Sequence, residues 1–591
     1  MKSLLLLFSL WIVCSLAQAQ TLKYQLSMPE PHTHYFEVDM IIDEWKGKSL
    51  EVKMPVWAPG SYLVREFARN VDFFEAHSTD QPLEWKKTDK NTWTVYTGGM
   101  KSIHIHYKVY AYELSVRTSF LDDSHAAING TSVFMYIAGK KNLSGELQIA
   151  PWKGFSKIST GLESVSGKQN TFAFPDYDVL VDCPIEIGNQ DVFSFEAAGV
   201  THEVAMYGEG NYNKEMLKKD MAKVVEKATQ VFGENPNKRY VFIIHNLTNP
   251  SGGLEHLNST VLQVNRWTYT GSAYDGFLSL VAHEYFHLWN VKRMRADVLG
   301  PFDYDHENYT TLLWVQEGFT SYYDEMLLKR TGVHDRKAYL SIFSGMISSV
   351  ENTPGNKVQS AAESSFDAWI KGYRTNENSV NSQISYYTKG QLLGALLDLR
   401  IIIDTKGEKS LDDLMKFMYD EYYKKLKRGF TEKEFYAAAC KIAGTDLGEF
   451  FGKYVYGTEG INYEPFLSPL GLKLNATSKS KDPWFGARFS EAGGKLVIKE
   501  LVDGSSAYEG GLNVNDEIIA CNGYRVDQSA LVKMIGQAGV GGVLNILVSR
   551  DNLIKEYKIK LLPNIQNEYQ VTVINQTDVN QEKLLTRWLG E

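Results

Sequence analysis

Cysteine is scarce: the 591 residues hold four, Cys14, Cys183, Cys440 and Cys521. Cys14 falls in the N-terminal leader, and the other three are an odd, scattered set. That excludes a disulfide framework, even for an exported protein. Their neighbours Val181, Ala439 and Ala520 predict buried, inert thiols and no catalytic cysteine. A basic excess is missing too. With 62 Lys and Arg against 71 Asp and Glu, the formal charge is -9 and the pI is near 5.9. Nucleic acid and anionic membrane surfaces are thereby excluded as electrostatic partners. The apolar stretch 4–16 is too short to serve as a permanent bilayer anchor. With Lys2 ahead of it and Ala17-Gln18-Ala19 behind, it reads as a secretory signal over 1–19. Val13 is too large for the processing site of a lipoprotein at Cys14. Export to the periplasm or the medium is expected, with no integral membrane segment after cleavage.

What the chain does carry is His283-Glu284-Tyr285-Phe286-His287, inside the apolar-periodic run 277–291. On a helix, positions i and i+4 share a face, so both imidazoles can converge on one metal ion. Zinc lowers the pKa of a coordinated water to about 7, and Glu284 is placed to take its proton. A chance match on an ordinary core helix is the structural alternative. Such a site needs a third protein ligand and leaves a fourth position open. Metzincins would place a Gly and a third His shortly after His287; Asn290 and Arg293 stand there, and that class is excluded. The stretch 311–329 reads as a second amphipathic helix. In it Glu317 is a lone acid among Trp314, Val315 and Phe319, and burying an unpaired carboxylate is costly unless it is ligated. His306 and Glu307 are rival ligands, but 303–308 reads as a solvated loop.

HEYFHLWN (283–290), WVQEGFTSYY (314–323), GGLEH (252–256) and SYYTKG (385–390) together resemble the glycyl aminopeptidase family of gluzincin metallopeptidases. MPVWAPGSYLVREFARNV (54–71) and DYDVLVDCPIEIG (176–188) resemble that family's N-terminal β domain. The resemblance implies a thermolysin-like, mainly helical catalytic domain with one zinc ion held by His283, His287 and Glu317. It implies Glu255 as anchor for the substrate's α-ammonium, although Leu254 and His256 depart from the related Gly-x-Met-Glu-Asn motif. An exposed acid in a surface turn is the alternative for Glu255. It further implies Tyr387 as hydrogen-bond donor to the tetrahedral oxyanion, with Tyr386 as fallback and two core aromatics as the alternative. Gly252 and Gly253 would let a substrate backbone approach closely. Peptide substrates with small N-terminal residues such as Gly or Ala are expected of such an enzyme. An endopeptidase on the same zinc site is the nearest rival, and a peptide-binding protein with an inactive site is a further one.

The remaining pattern organises the chain as multidomain α+β. After the signal, 20–190 shows period-two alternation, as in Phe36, Val38, Met40, Ile42 and in Ile103, Ile105, Tyr107, Val109, predicting antiparallel strands. His32 with His34, and His104 with His106, read as solvent faces of strands lacking an acidic partner in register. The catalytic domain spans 191–470; its segment 216–232 is a helical face, and 352–382 reads as a surface loop region. The span 471–566 contains Gly511-Leu512, Asp516-Glu517-Ile518-Ile519 and Asn522-Gly523, a pattern that resembles a PDZ domain. Trp484 to Ala487 would supply its carboxylate loop for a peptide C terminus; a domain that only packs beside the cleft and binds nothing is the alternative. A polar tail, 567–591, ends in a short helix.

Overall fold

The computed structural model describes residues 21–79, 81–250, 252–574 and 578–591. The leader expected over 1–19 lies outside them. Among the described residues no helix is long and apolar enough to cross a membrane. Alternation builds the first unit: Phe36, Val38, Met40 and Ile42 of strand Tyr35–Asp43 are fully buried. They face Val109, Tyr107, Ile105 and Ile103 of the antiparallel strand Ile103–Tyr110. Successive Cβ atoms point to opposite faces, so one row fills the core and the other faces out. These strands belong to an eight-stranded sheet that shares a core with two four-stranded sheets.

The histidines of this unit depart from expectation. His104 and His106 do have an acid in register: Asp39 lies opposite His106, and its Oδ1 is 2.9 Å from both His104 Nε2 and His106 Nδ1. His32 and His34 are on no strand. They belong to the turn Pro31–Thr33, which His34 closes with a φ of 64°.

From residue 191 a five-stranded sheet runs in the order Asp191–Ala197, Val200–Tyr207, Arg239–Leu247, Ser259–Asn265, Gly252–Glu255. The inner pairs are parallel, and Gly252–Glu255 is an antiparallel edge strand. The GGLEH stretch is therefore mostly strand and not a surface turn, because Leu254 has a buried apolar cluster to join. Helix Lys214–Phe232 buries Leu217, Met221, Val224, Val225, Ala228 and Phe232. It starts where the Asn213 side chain accepts the Met216 N–H, and it stops at left-handed Gly233.

Three further helices form the floor of the site: Gly271–Phe286, Gly318–Thr331 and Tyr386–Asp404. Two glycines set the crossing of the last two. A Cβ on Gly318 would lie 2.4 Å from Gly390 Cα, and one on Gly390 would lie 2.5 Å from the Trp314 carbonyl oxygen. Any larger residue at either position would force the two helices apart.

Two expectations fail. The span 352–382 is no surface loop: it holds helix Ala361–Phe366, opened by a Ser360–Glu363 capping box. Ser365 Oγ there accepts the Trp314 N–H at 3.0 Å, and Trp369 is buried. Its small and hydroxylic residues pack closely because each hydroxyl finds a backbone partner. Nor is 567–591 a tail. Strand Asn567–Val573 pairs with Leu472–Ser478. Helix Val579–Leu589 then returns to the large core, burying Leu585, Trp588 and Leu589. Trp588 Nε1 donates to the Tyr322 hydroxyl at 3.1 Å. Between the strands of this stem sits a small unit with its own core, a six-stranded sheet and helix Gln528–Ala538.

Candidate active site

His283 occupies the last turn of Gly271–Phe286, and His287 caps it. Their Nε2 atoms are 3.1 Å apart. Glu317 Oε2 is 3.3 Å from His287 Nε2 and 3.7 Å from His283 Nε2. The expected helix 311–329 breaks at Glu317, which joins Leu313–Gln316 to Gly318–Thr331 and so turns its carboxylate toward the histidines. The other ring nitrogens are engaged: His283 Nδ1 meets Asp324 Oδ2 at 3.0 Å, and His287 Nδ1 meets the Asn290 carbonyl oxygen at 2.7 Å. With a proton on each Nδ1, both Nε2 lone pairs face one another, an arrangement that a cation resolves. Tetrahedral donors at zinc distances lie about 3.3 Å apart, and the three observed separations bracket that value. The residues present fit zinc. The same acids raise the proton affinity of His283 against the opposing effect of burial, so protons compete with a metal for this site.

The rival ligands are not brought here. His306 is exposed and paired with Asp303 at 3.0 Å, and Glu307 stays in the same segment. Asp305, just before them, is a tether, with Lys53, Asn91 and Tyr136 as partners.

Glu284 lies against the edge strand: a Cβ on Gly253 would come within 2.2 Å of its Oε1. Its Oε2 is buried with no protein partner. Burial, opposed by both histidines, pushes this carboxyl up to about 7. Glu255, at the end of the same strand, is 4% exposed, which removes the surface-turn alternative. A ligand oxygen of Glu255, one of Glu284 and a ring nitrogen of His287 all lie within 4.8 Å of one another. Glu255 Oε1 also has no protein partner. Its cover comes from the N-terminal unit, where a Cβ on Gly60 would sit 2.5 Å from that oxygen. Gly60 has a φ of 85°, in a turn closed by Ser61 N–H donating to the Ala58 carbonyl oxygen at 3.0 Å.

Tyr387 opens helix Tyr386–Asp404, where Ser385 Oγ accepts its N–H at 3.2 Å. Its ring centroid is 6.4 Å from that of His283, and it is half-buried. Tyr386 is buried, with its hydroxyl unpartnered. Sequence reasoning missed four neighbours. Asp324 orients His283, and Asp182 fixes the base of the edge strand through His256 Nδ1 at 3.1 Å and Lys292 Nζ at 2.6 Å. Tyr62 and Tyr373 pack together on the cleft side of Gly60, with the Tyr373 hydroxyl 3.4 Å from the Gly60 carbonyl oxygen. A second donor set, His125, Glu186 and His245, spans the two units. Its contacts run to opposite carboxylate oxygens at 2.8 and 2.9 Å, the spacing of hydrogen bonds.

The family model described as the M61 glycyl aminopeptidase matches residues 276–393, which hold His283, Glu284, His287, Glu317 and Tyr387. The one described as the peptidase M61 N-terminal domain matches 23–189. Both matches are to M61 peptidases. A solved aminopeptidase N family protein from Idiomarina loihiensis is 29% identical, with a TM-score of 0.90 over 96% of this chain and 100% of that one. An M1 zinc metallopeptidase from Deinococcus radiodurans is 12% identical, with a TM-score of 0.49 over 75% of this chain and 95% of that one. It is too distant to carry an argument. A search of curated proteins finds no match. The M61 matches and the Idiomarina fold support a peptidase.

Proposed function

We propose that the protein is a zinc-dependent aminopeptidase that releases small N-terminal residues such as Gly or Ala. The observation that carries this reading is Glu255, a buried carboxylate with an oxygen left unpaired beside the metal ligands and covered by a glycine. A buried acid lacking a partner is costly, and a substrate α-ammonium supplies one. His283, His287 and Glu317 would hold the zinc, which supplies Lewis acidity to the scissile carbonyl and the attacking water. Glu284 takes the water's proton on its free Oε2 and then delivers it to the leaving amine. The Tyr387 hydroxyl donates to the oxyanion, a contact worth about 2.7–4 kcal/mol when aimed at the developing charge. Gly253 keeps the edge strand clear of Glu284. The Gly60 turn rests on the amine anchor, and the preference for a small first residue follows the likeness to the glycyl aminopeptidase family.

The small unit within 471–566 we assign as a PDZ domain taking a peptide C terminus. Supporting this are its edge strand Ala487–Ala492, left-handed Gly486 before it, and half-buried Phe489 and Met534. The leader at 1–19 supports export. The test is hydrolysis of Gly- and Ala-p-nitroanilide. Zinc-loaded wild type should cleave both, while Glu284→Gln should bind zinc and cleave neither. Equal cleavage by the variant would sink the assignment.

A further inference from the structure

Just after His287 the chain carries Lys292, Arg293 and Arg295, and the reaction above uses none of these cations. All three line one cavity of about 670 Å³, together with Lys424, Lys427 and Arg428. Asp178 is the one acid among its described lining residues, and it accepts from the Tyr304 hydroxyl at 2.7 Å. Three of the six cations have acid partners. Lys292 pairs with Asp182 at 2.6 Å, Lys424 with Glu234 at 3.1 Å and Arg428 with Glu434 at 2.6 Å. Arg293, Arg295 and Lys427 form no ion pair with any described carboxylate. Arg293 spends its Nη groups on the Leu257 and Leu288 carbonyl oxygens and on Asn237 Oδ1, which leaves its charge unneutralised.

Arg295 keeps its donors free. Its backbone is pinned, because the Phe430 N–H donates to the Arg295 carbonyl oxygen at 2.9 Å. Its guanidinium carbon lies 4.9 Å from the centre of the Phe302 ring, and a Cβ on Gly300 would come within 2.2 Å of that carbon. The plane is thus packed against an aromatic ring and a glycine, yet no described acceptor takes any of its N–H groups. Asp178 and Asp182 act on it only from beyond ion-pair distance, and burial outweighs them in lowering its pKa. Arg295 also lines an inner cavity of about 270 Å³, which shares Asp178, Lys292 and Tyr423 with the outer one. The inner cavity reaches Pro59 and His256, the chain neighbours of Gly60 and Glu255, so it lies on the seam between the two units.

A partly buried guanidinium without an acceptor is costly, and its planar fork matches the paired oxygens of a phosphate or a carboxylate. We propose that Arg295 heads a binding site for a small oxyanion, phosphate or carboxylate, with exposed Lys427 as the second cation that meets it. Arg293 adds attraction without a free Nη donor. Three cations without acids face one carboxylate, so a doubly charged anion is bound better than a singly charged one. Asp178 belongs to the N-terminal unit, and an anion seated beside it on the seam ties both units together.

The experiment measures calorimetric binding and Tm of the zinc-loaded protein with inorganic phosphate, succinate and acetate, at an ionic strength held constant with sodium chloride. Phosphate or succinate should bind at one site and raise Tm, and whichever binds tighter names the headgroup. Acetate should bind more weakly than either. Arg295→Met keeps an apolar stem on Phe302 and should weaken binding by about 10- to 100-fold, the scale of one or two charge-assisted hydrogen bonds. Lys427→Gln, at an exposed position, should weaken it by about two- to fivefold. If Arg295→Met does not fold, the wild-type binding and the Lys427→Gln loss still decide. Absence of binding to wild type up to about 10 mM anion overturns the proposal. So does binding that is unchanged in Arg295→Met and Lys427→Gln, which would place the anion on the zinc. Neither readout depends on turnover, so the outcome is separate from that of the aminopeptidase assay.

Discussion

Asp324 governs how His283 can serve as a ligand. Burial pushes its carboxyl up to about 7 against the pull of His283, and its Oδ2 holds the Nδ1 side of that ring. Partners of this kind typically account for 10- to 100-fold in metal affinity. Asp324→Ala should therefore weaken zinc binding by roughly that factor in a chelator competition, with the fold intact by thermal melting. Unchanged affinity would show that the ring is held by packing alone. Asp324 follows Glu317 by two helical turns, on one face of the helix, so the sequence held the signal. The aromatic neighbours Tyr322 and Tyr323 concealed it by resembling plain core. His283, Glu284 and His287 were legible because their geometry is local to one helix, and Glu317 because a lone acid in an apolar run is conspicuous. The burial of Glu255 was not legible, since its cover, Gly60, lies far away along the chain.

Among the elements, the crossing of Gly318–Thr331 and Tyr386–Asp404 brings together Glu317 and Tyr387, the proposed third ligand and oxyanion donor. The backbones touch at Gly318 and Gly390, so Gly390→Ala must displace one helix. Overpacking of this kind costs about 1–3 kcal/mol. We expect a lower Tm together with a fall in kcat larger than that of a surface alanine control, measured on Ala-p-nitroanilide. A variant with wild-type Tm and kcat would mean that the crossing does not position Tyr387. Periodicity revealed the long helices and strands, because one face of each meets a core. It failed for 352–382, where short helices pack through Ala361, Ala362, Ser364 and Ser365 and polar composition imitates a loop. Over 567–591 it found the short terminal helix, present as Val579–Leu589, but missed the strand Asn567–Val573 and the docking of Leu585 and Trp588, both completely buried.

Across the whole molecule, the N-terminal unit is part of the site. Asp182 holds His256 and Lys292, Asp305 is held by Lys53 and Asn91, and Glu186 bridges His125 and His245. These ties hold the N-terminal unit, with its Gly60 turn, against Glu255, so on the proposed reading the recognition of a substrate amine is divided between two domains. The measurement that tests this most directly is hydrolysis of one Ala-initiated peptide, free and N-acetylated, by zinc-loaded wild type and Glu255→Ala. Wild type should cleave the free peptide at least about 100-fold better, the scale on which a buried charged partner left unpaired is rejected. Glu255→Ala should lose that preference while keeping its zinc. Equal cleavage of the two peptides by wild type would contradict the account and make the protein an endopeptidase.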